Sequence, residues 1–209
     1  MAESTIFDDV FRTETEKMPE LTIPLINEVF GTNYPSNVEI IQGRNEHLTK
    51  SGKKITDSYI IIGEKRYHME CQSTEDSTMI LRMIEYDFAI SVEYAEKVHG
   101  VYRMQFLHSC ILYLRGDVRE KTVSMELQFP DNQVVQYKVP VIRIEWYSIK
   151  EILEKDLIML LPFYIRCEMT ATSVGGEQQI SISGGSQSPS DIASGRIAEM
   201  RRRSMSCIA

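Results

Sequence analysis

Residues 55–73 carry the sequence ITDSYIIIGEKRYHMECQS, which predicts a β-hairpin. Runs rich in β-branched and aromatic residues lie on both sides of Gly63-Glu64, and a glycine at the first position of a two-residue loop suits a type II′ turn. In such a hairpin Ile62 pairs with Lys65, and the pairing continues outward from the loop. The register of the whole hairpin therefore follows from this turn.

That register brings two carboxylates together. Asp57 falls directly opposite Glu70, and opposed residues share a face of the sheet with Cβ atoms about 5 Å apart. Gln72 and His68 alternate with Glu70 onto the same face. The other face collects a set of residues suited to a core: Ile60, Ile62, Tyr67, Met69 and Cys71.

Two carboxylates about 5 Å apart repel by roughly 3 kcal/mol in an effective dielectric near 20. A protein keeps such a pair when a shared proton, a basic side chain or a hard cation offsets the repulsion. Mg²⁺ binds carboxylate oxygens and waters and can carry a substrate phosphate, and the amide of Gln72 is placed near the same ion and its water. The pattern thus predicts metal-assisted phosphodiester hydrolysis. The alternative is that these acidic residues are simply solvated, since short motifs of this kind are often coincidental.

The remaining pattern alternates between helices and strands. Residues 4–30 are expected to be largely helical, with Pro19 and Pro24 interrupting or beginning helices and a stop at Gly31. A long helix is predicted from Met79 to Val98. Its core stripe is expected at Ile80, Ile84 and Phe88, and its stop at Gly100.

Further strands are predicted at residues 38–41, 105–114, 122–129 and 134–139, the last two as a second hairpin. Ser148 and Glu151 form a capping-box pattern before a helix expected to reach Leu161, with Pro162 marking its end.

Composition excludes several classes of protein. The net charge of −7 argues against a protein that coats nucleic acid by bulk attraction, although a local basic patch remains compatible with it. There is neither an apolar run long enough to cross a membrane nor a secretory signal, so no membrane partner and a cytoplasmic location are expected. The four cysteines are scattered, which favours reduced thiols over a zinc site.

Residues 170–209 differ from the rest in being rich in Ser, Gly and Gln, with no apolar period. Such composition predicts a disordered tail. It contains Arg201, Arg202 and Arg203, which suggest either a basic DNA-contacting end or, as we favour, an end without function. The abrupt change in composition motivates the hypothesis of a frameshift or truncation near Met169.

The segments Ile55–Ser58 and Tyr67–Ser73 resemble the hairpin of the recombination-promoting nuclease / putative transposase family, a branch of the PD-(D/E)XK nuclease superfamily. Three more segments resemble that family in order: Asp8–Arg12 its opening element, Leu25–Gly31 its first core helix, and Leu161–Tyr164 the end of a later helix. The resemblance covers roughly residues 5–169.

The resemblance implies an α/β fold over residues 1–169, in which a mixed central β-sheet flanked by helices forms a restriction-endonuclease-like core. It implies a DNA endonuclease that promotes recombination and depends on Mg²⁺, or on Mn²⁺ in its place. Asp57 and Glu70 would be the metal ligands and, with Gln72, the catalytic residues. Most of the superfamily has a lysine at the position of Gln72, so slow or conditional activity is expected.

Three other residues are candidates for supporting the site or contacting DNA. The resemblance matches Glu28 to a helix carboxylate that supports the metal site, with a solvated helix residue as the alternative. Arg82 and Tyr86 lie four residues apart on one helix face. Arg82 suits a phosphate contact or a salt bridge, and we favour the phosphate. Tyr86 suits a base contact or core packing, and we favour packing.

Two other functions stay open. A catalytically weak or inactive protein that keeps the nuclease fold as a DNA-binding or interaction module is compatible with Gln72 and with the acidic charge. A transposase in the strict sense is less favoured, because the sequence contains no recognisable separate DNA-binding module. DNA is the expected partner, and a homodimer is left open.

Overall fold

The hairpin predicted over residues 55–73 is part of a six-stranded mixed sheet. The structure is a computed structural model that describes residues 2–49, 52–116 and 119–164. The helices are α1 (Ala2–Lys17), α2 (Thr22–Phe30), α3 (Met79–Glu93) and α4 (Ile149–Glu154), with 3-10 helices at Pro19–Leu21, Ile144–Trp146 and Ile158–Leu160. The strands are β1 (Ile41–Gln42), β2 (Glu46–Thr49), β3 (Gly52–Ile55), β4 (Ser58–Ile62), β5 (Lys65–Gln72), β6 (Glu96–Val98), β7 (Val101–Arg103), β8 (His108–Tyr113), β9 (Thr122–Gln128) and β10 (Val134–Arg143).

The large sheet has the strand order β1-β4-β5-β8-β10-β9. The chain leaves β5, passes through α3, and returns as β8 parallel to β5, while β10 is parallel to β8. The outer pairs are antiparallel: β1 with β4, β4 with β5, and β9 with β10. The predicted fold class, α/β with a mixed central sheet flanked by helices, is therefore confirmed. Two small hairpins, β2-β3 and β6-β7, lie outside this sheet.

The predicted hairpin register is confirmed. Ile62 pairs with Lys65, and the pairing runs outward to Ser58 opposite Met69. The backbone φ is +59° at Gly63 but not positive at Glu64, which is the pattern of a type II′ turn. The next opposed positions beyond Ser58 and Met69 belong to Asp57 and Glu70.

Helices cover both faces of β5. Tyr67 contacts Phe30 of α2, with ring centroids 5.3 Å apart, whereas its neighbour His68 faces Tyr86 of α3 at 5.8 Å. Successive residues of a strand point to opposite faces, so α2 and α3 lie on opposite sides of the sheet. All residues from 67 to 71 are consequently buried. The interpretation of Asp57 and Glu70 as solvated surface residues is therefore wrong, because they are 6% and 1% exposed.

The long helix differs from the prediction in its length and in its buried face. It ends at Glu93, and β6 and β7 follow as a hairpin that turns at His99 and Gly100, both with positive φ. Gly100 is thus a hairpin glycine. The predicted stripe of Ile80, Ile84 and Phe88 is confirmed only in part, since Ile80 packs against the core but Phe88 is 49% exposed. The residues of α3 that are buried are Met79, Met83, Tyr86, Asp87, Ile90 and Ser91.

The predictions for the ends of α2 and α4 and for the first strand are confirmed in part. Gly31 ends α2 in the left-handed conformation, and Ser148 and Glu151 form the predicted capping box. The helix after Ser148 is shorter than expected, since it ends at Glu154, and Pro162 lies inside a helical turn at residues 161–164. The strand expected at residues 38–41 is reduced to Ile41–Gln42.

The side chains of Cys71 and Cys110 are buried. Within the described residues, no helix combines the length and the apolar character needed to cross a membrane. The predictions about the tail at residues 170–209, including the frameshift hypothesis, lie outside the described residues.

A buried carboxyl group in α1 makes the stability of the fold depend on pH. Glu14 is 9% exposed, and burial raises its pKa to about 8. Its Oε2 atom has no hydrogen-bond partner among the described residues. The folded protein therefore keeps a proton on Glu14 through a pH range in which the unfolded chain, with a pKa near the ordinary 4.5, has lost it.

We expect Glu14→Gln to stabilise the protein relative to the wild type increasingly as the pH rises from about 5 to 8. The wild type must either bury a charge or bind a proton in this range, and the difference grows by up to about 1.4 kcal/mol per pH unit. Urea unfolding of both proteins at pH 5, 6.5 and 8 measures the effect. A difference in stability that does not change with pH contradicts the assignment.

Candidate functional site

The two predicted metal ligands lie together at the end of the β4-β5 hairpin. Asp57 immediately precedes β4, and its backbone N–H donates a hydrogen bond to Glu70 Oε1 at 3.1 Å. The backbone N–H of Cys71 donates to Asp57 Oδ2 at 3.0 Å. Each carboxylate is thus fixed by the backbone of the opposite strand. The sequence prediction that these two residues are neighbours is confirmed by the hydrogen bond between them.

An arginine from each of two helices contacts the pair. Arg12 of α1 donates from Nη2 to Asp57 Oδ1 at 3.2 Å. Arg82 of α3 places Nη2 at 3.7 Å from Glu70 Oε2, and its Nη1 donates to Gln72 Oε1 at 3.5 Å. Two guanidinium groups therefore balance two carboxylates. Of the three ways to offset the repulsion, the structure contains the basic side chain, so the repulsion by itself does not require a cation.

Behind Glu70 lies a buried polar network. His68 Nε2 is 3.0 Å from Glu70 Oε1, and His68 Nδ1 is 2.8 Å from Asp87 Oδ1. Asp87 also accepts hydrogen bonds from the hydroxyl groups of Ser109, at 2.7 Å, and Tyr137, at 2.6 Å. His68 and Asp87 are fully buried. The network holds Glu70 through His68 and connects it to α3, β8 and β10.

The charge state of His68 follows from its two carboxylate neighbours. Burial by itself lowers the pKa of His68, but the hydrogen bonds to Asp87 and Glu70 and the charges of these residues outweigh it and raise the pKa to about 10. A protonated ring donates from both nitrogens. His68 therefore bridges Glu70 and Asp87 as a cation, which stabilises two carboxylates that would otherwise be costly to bury.

Sequence reasoning placed His68 near the site but missed Asp87, Ser109, Tyr137 and the contact from Arg12. One signal was available for Asp87. It is a charged residue at helical spacing from Met83 and Ile90, on the face of α3 that is otherwise apolar and buried. The hydrogen-bond partners of Asp87 are Ser109 of β8 and Tyr137 of β10. Their contact with α3 depends on tertiary structure and has no local sequence signal.

Of the supporting candidates, only some join the site. Arg82 does so through Glu70 and Gln72. Tyr86 is 8% exposed and makes an edge contact with His68, which agrees with its interpretation as packing. The described contacts of Glu28 are with Lys155 and Tyr147, so its carboxylate is bonded away from Asp57 and Glu70.

The donor set of the site fits a hard cation. Asp57 and Glu70 supply carboxylate oxygens, Gln72 adds an amide oxygen next to Glu70, and no sulfur or neutral imidazole ligand is needed. Among the described residues, no group of three or more His, Cys, Asp or Glu side chains is placed to hold a metal ion. Mg²⁺ is commonly bound by one or two carboxylates together with waters and substrate phosphates. These residues therefore fit Mg²⁺ or Mn²⁺ as an open site with two protein carboxylates.

Neither a scan against protein-family models nor searches of curated proteins and of solved structures found a match to this chain. The resemblance to the recombination-promoting nucleases thus rests on the five segments quoted from the sequence. Membership of that family stays a prediction.

Proposed function

We propose that this protein is a cytoplasmic, Mg²⁺-dependent deoxyribonuclease that hydrolyses phosphodiester bonds and promotes recombination. The observation that carries the proposal is the placement of Asp57 and Glu70. Two adjacent strands bring both carboxylates to one point, and backbone hydrogen bonds hold them there. The order of hairpin, helix and parallel strand around this point supports a restriction-endonuclease-like core, as the resemblance implies.

Each residue of the site has a role in this proposal. Asp57 and Glu70 would hold the cation, which supplies a water of lowered pKa and positive charge for the phosphate. His68 and the N–H of Asp57 both bind Glu70 Oε1, so the carboxylate plane is set and Oε2 is the oxygen turned toward Arg82. Gln72 presents an amide beside Glu70, where it can orient a water or a phosphate oxygen. Arg82, with five donors, suits a phosphate.

The rate of DNA hydrolysis is expected to be modest. Gln72 carries no charge and cannot accept a proton at neutral pH, so the residue that occupies the usual lysine position does not activate the attacking water by its charge. Catalysis would depend on positioning and on the cation, which together still account for large accelerations in phosphoryl chemistry.

A supercoiled plasmid tests this function. We expect the full-length protein to convert it to nicked or linear DNA in Mg²⁺ or Mn²⁺, and to leave it intact in EDTA. Agarose electrophoresis after incubation with increasing protein measures the conversion. Cleavage that persists in EDTA contradicts a metal-dependent mechanism.

The second candidate function is a DNA-binding or interaction module without catalysis. The observation that favours it is the ion pairing of Arg12 with Asp57 and of Arg82 with Glu70, which stabilises the carboxylates without a metal. A mobility-shift assay with short duplex DNA separates the two functions. Binding by folded protein that cleaves in neither Mg²⁺ nor Mn²⁺ supports the module, whereas metal-dependent cleavage supports the nuclease.

A further inference from the structure

We propose that Arg12 and Arg82 compete with the divalent cation for Asp57 and Glu70, and that both arginines turn to DNA phosphates when the cation binds. This inference rests on the proposed nuclease function and deepens it. The ion pairs Arg12–Asp57 and Arg82–Glu70 then describe the site without metal and DNA. In the complex with DNA, both arginines act as positioning residues for the DNA backbone.

The polar contacts of Arg82 are long, so its guanidinium group is free to change its orientation. Its nitrogens lie 3.7 Å from Glu70, 3.5 Å from Gln72 and 3.7 Å from Asp76. Charge-assisted hydrogen bonds of full strength measure about 2.7–2.9 Å between nitrogen and oxygen. The guanidinium is thus shared among these oxygen groups at long distances and also contacts Tyr86, whose ring centroid lies 6.0 Å away, while its side chain is 36% exposed. It can reorient without unpacking the core.

Arg12 is held by a single described ion pair. It donates to Asp57 Oδ1 at 3.2 Å, its side chain is 35% exposed, and its Nε has no hydrogen-bond partner among the described residues. An arginine fork binds a carboxylate or a phosphate best through two parallel hydrogen bonds. Arg12 donates one described side-chain hydrogen bond to Asp57. Its other N–H donors allow two parallel hydrogen bonds to a phosphate, which bind more strongly than this single contact.

Charge balance gives the reason for an exchange. Without a cation, Arg12 pairs with Asp57 and Arg82 pairs with Glu70, while His68 is shared between Glu70 and Asp87. A divalent ion held by Asp57 and Glu70 would add two positive charges close to both guanidinium groups and would repel them. A DNA phosphate restores the balance, and the ion and the arginines can then bind different oxygens of the backbone. The cation and the arginines therefore oppose each other in the free protein and act together on DNA.

Calorimetric titration of the full-length protein with Mn²⁺, in the absence of DNA, tests the competition. We expect Arg82→Gln to bind Mn²⁺ about fivefold more tightly than the wild type, which corresponds to removing one partly exposed ion pair that opposes binding. Arg12→Gln should act in the same direction. Arg82→Lys keeps the charge and should stay near the wild type. Arg44→Gln is the matched control, because Arg44 forms an exposed ion pair with Glu93, 3.7 Å long.

The same variants should bind duplex DNA more weakly. In Ca²⁺ buffer across a range of salt concentrations, each lost phosphate contact lowers the slope of log affinity against log salt by about 0.9. Substitution of an arginine with a purely structural role would not give tighter Mn²⁺ binding together with weaker DNA binding. A general loss of folded structure would weaken the affinity for Mn²⁺ and the affinity for DNA alike.

The outcomes separate this inference from the proposed function. If the wild type binds Mn²⁺ and Asp57→Asn does not, but Arg12→Gln and Arg82→Gln bind it no more tightly than the wild type, the competition is overturned and the metal site stands. If the wild type binds no Mn²⁺, or if Asp57→Asn binds it equally well, both proposals are overturned.

Discussion

Asp57→Asn is expected to slow Mg²⁺-dependent DNA cleavage about a thousandfold or more, because losing an ion worth several kcal/mol of transition-state stabilisation has an effect of this size. The substitution keeps the shape of the side chain and one acceptor oxygen for the N–H of Cys71, which Asp57 Oδ2 binds in the wild type. It removes the negative charge that a cation needs. Single-turnover cleavage of supercoiled plasmid measures the rate, and circular dichroism checks the fold.

Asp76→Asn provides a matched control. Asp76 is also an acidic residue beside Arg82, at 3.7 Å, but it lies in the loop after β5 and does not face Asp57 across the hairpin. We expect its cleavage rate to stay within about threefold of the wild type, because the substitution removes only a long, partly exposed contact to Arg82 and no proposed metal ligand. Equal losses in Asp57→Asn and Asp76→Asn would mean that the general charge of the region, and no specific ligand, is responsible.

Asp87→Ala is expected to destabilise the fold by about 3–5 kcal/mol, which is typical of removing one partner from a buried charged network. The substitution leaves His68, Ser109 and Tyr137 without their shared acceptor in a place that water does not reach. It also removes a neighbour that keeps His68 protonated. Urea unfolding measures the loss.

Glu85→Ala, two residues earlier on the same helix, is the control for Asp87→Ala. Glu85 is exposed, so we expect a change below about 1 kcal/mol. A similarly small change for Asp87→Ala would contradict the view that the His68–Asp87 network is a main support of the site.

The hairpin was predictable because its determinants are local. A glycine at the first loop position sets the turn, the turn sets the register, and the register places Asp57 opposite Glu70. The strands at residues 108–113 and 122–128 were predictable for a similar reason, since a continuous apolar run and a strict alternation are local patterns.

The rest of the site depends on contacts between distant parts of the chain. Arg12 and Asp57 are 45 residues apart, and Asp87 and Tyr137 are 50 residues apart. No spacing rule connects such residues. The full buried face of α3 was not predictable for the same reason, because Met79 and Met83 pack against Ile111 and Val141 of distant strands.

The contacts of Glu28 also depend on tertiary structure. The resemblance implied that Glu28 supports the metal site, but the described partners of its carboxylate are Lys155 and Tyr147. A carboxylate on a helix binds whichever cation packs beside it, and the sequence did not reveal that Lys155 would do so.

A double-mutant comparison tests the central claim, that Asp57 and Glu70 act as one unit in cleavage, most directly. The Mg²⁺-dependent cleavage rates of the wild type, Asp57→Asn, Glu70→Gln and the double variant are measured under the same single-turnover conditions. Residues that hold one ion should be strongly non-additive, so we expect the double variant to be no slower than the slower single variant. Losses that multiply, or a single variant that cleaves at the wild-type rate, would contradict a shared metal site.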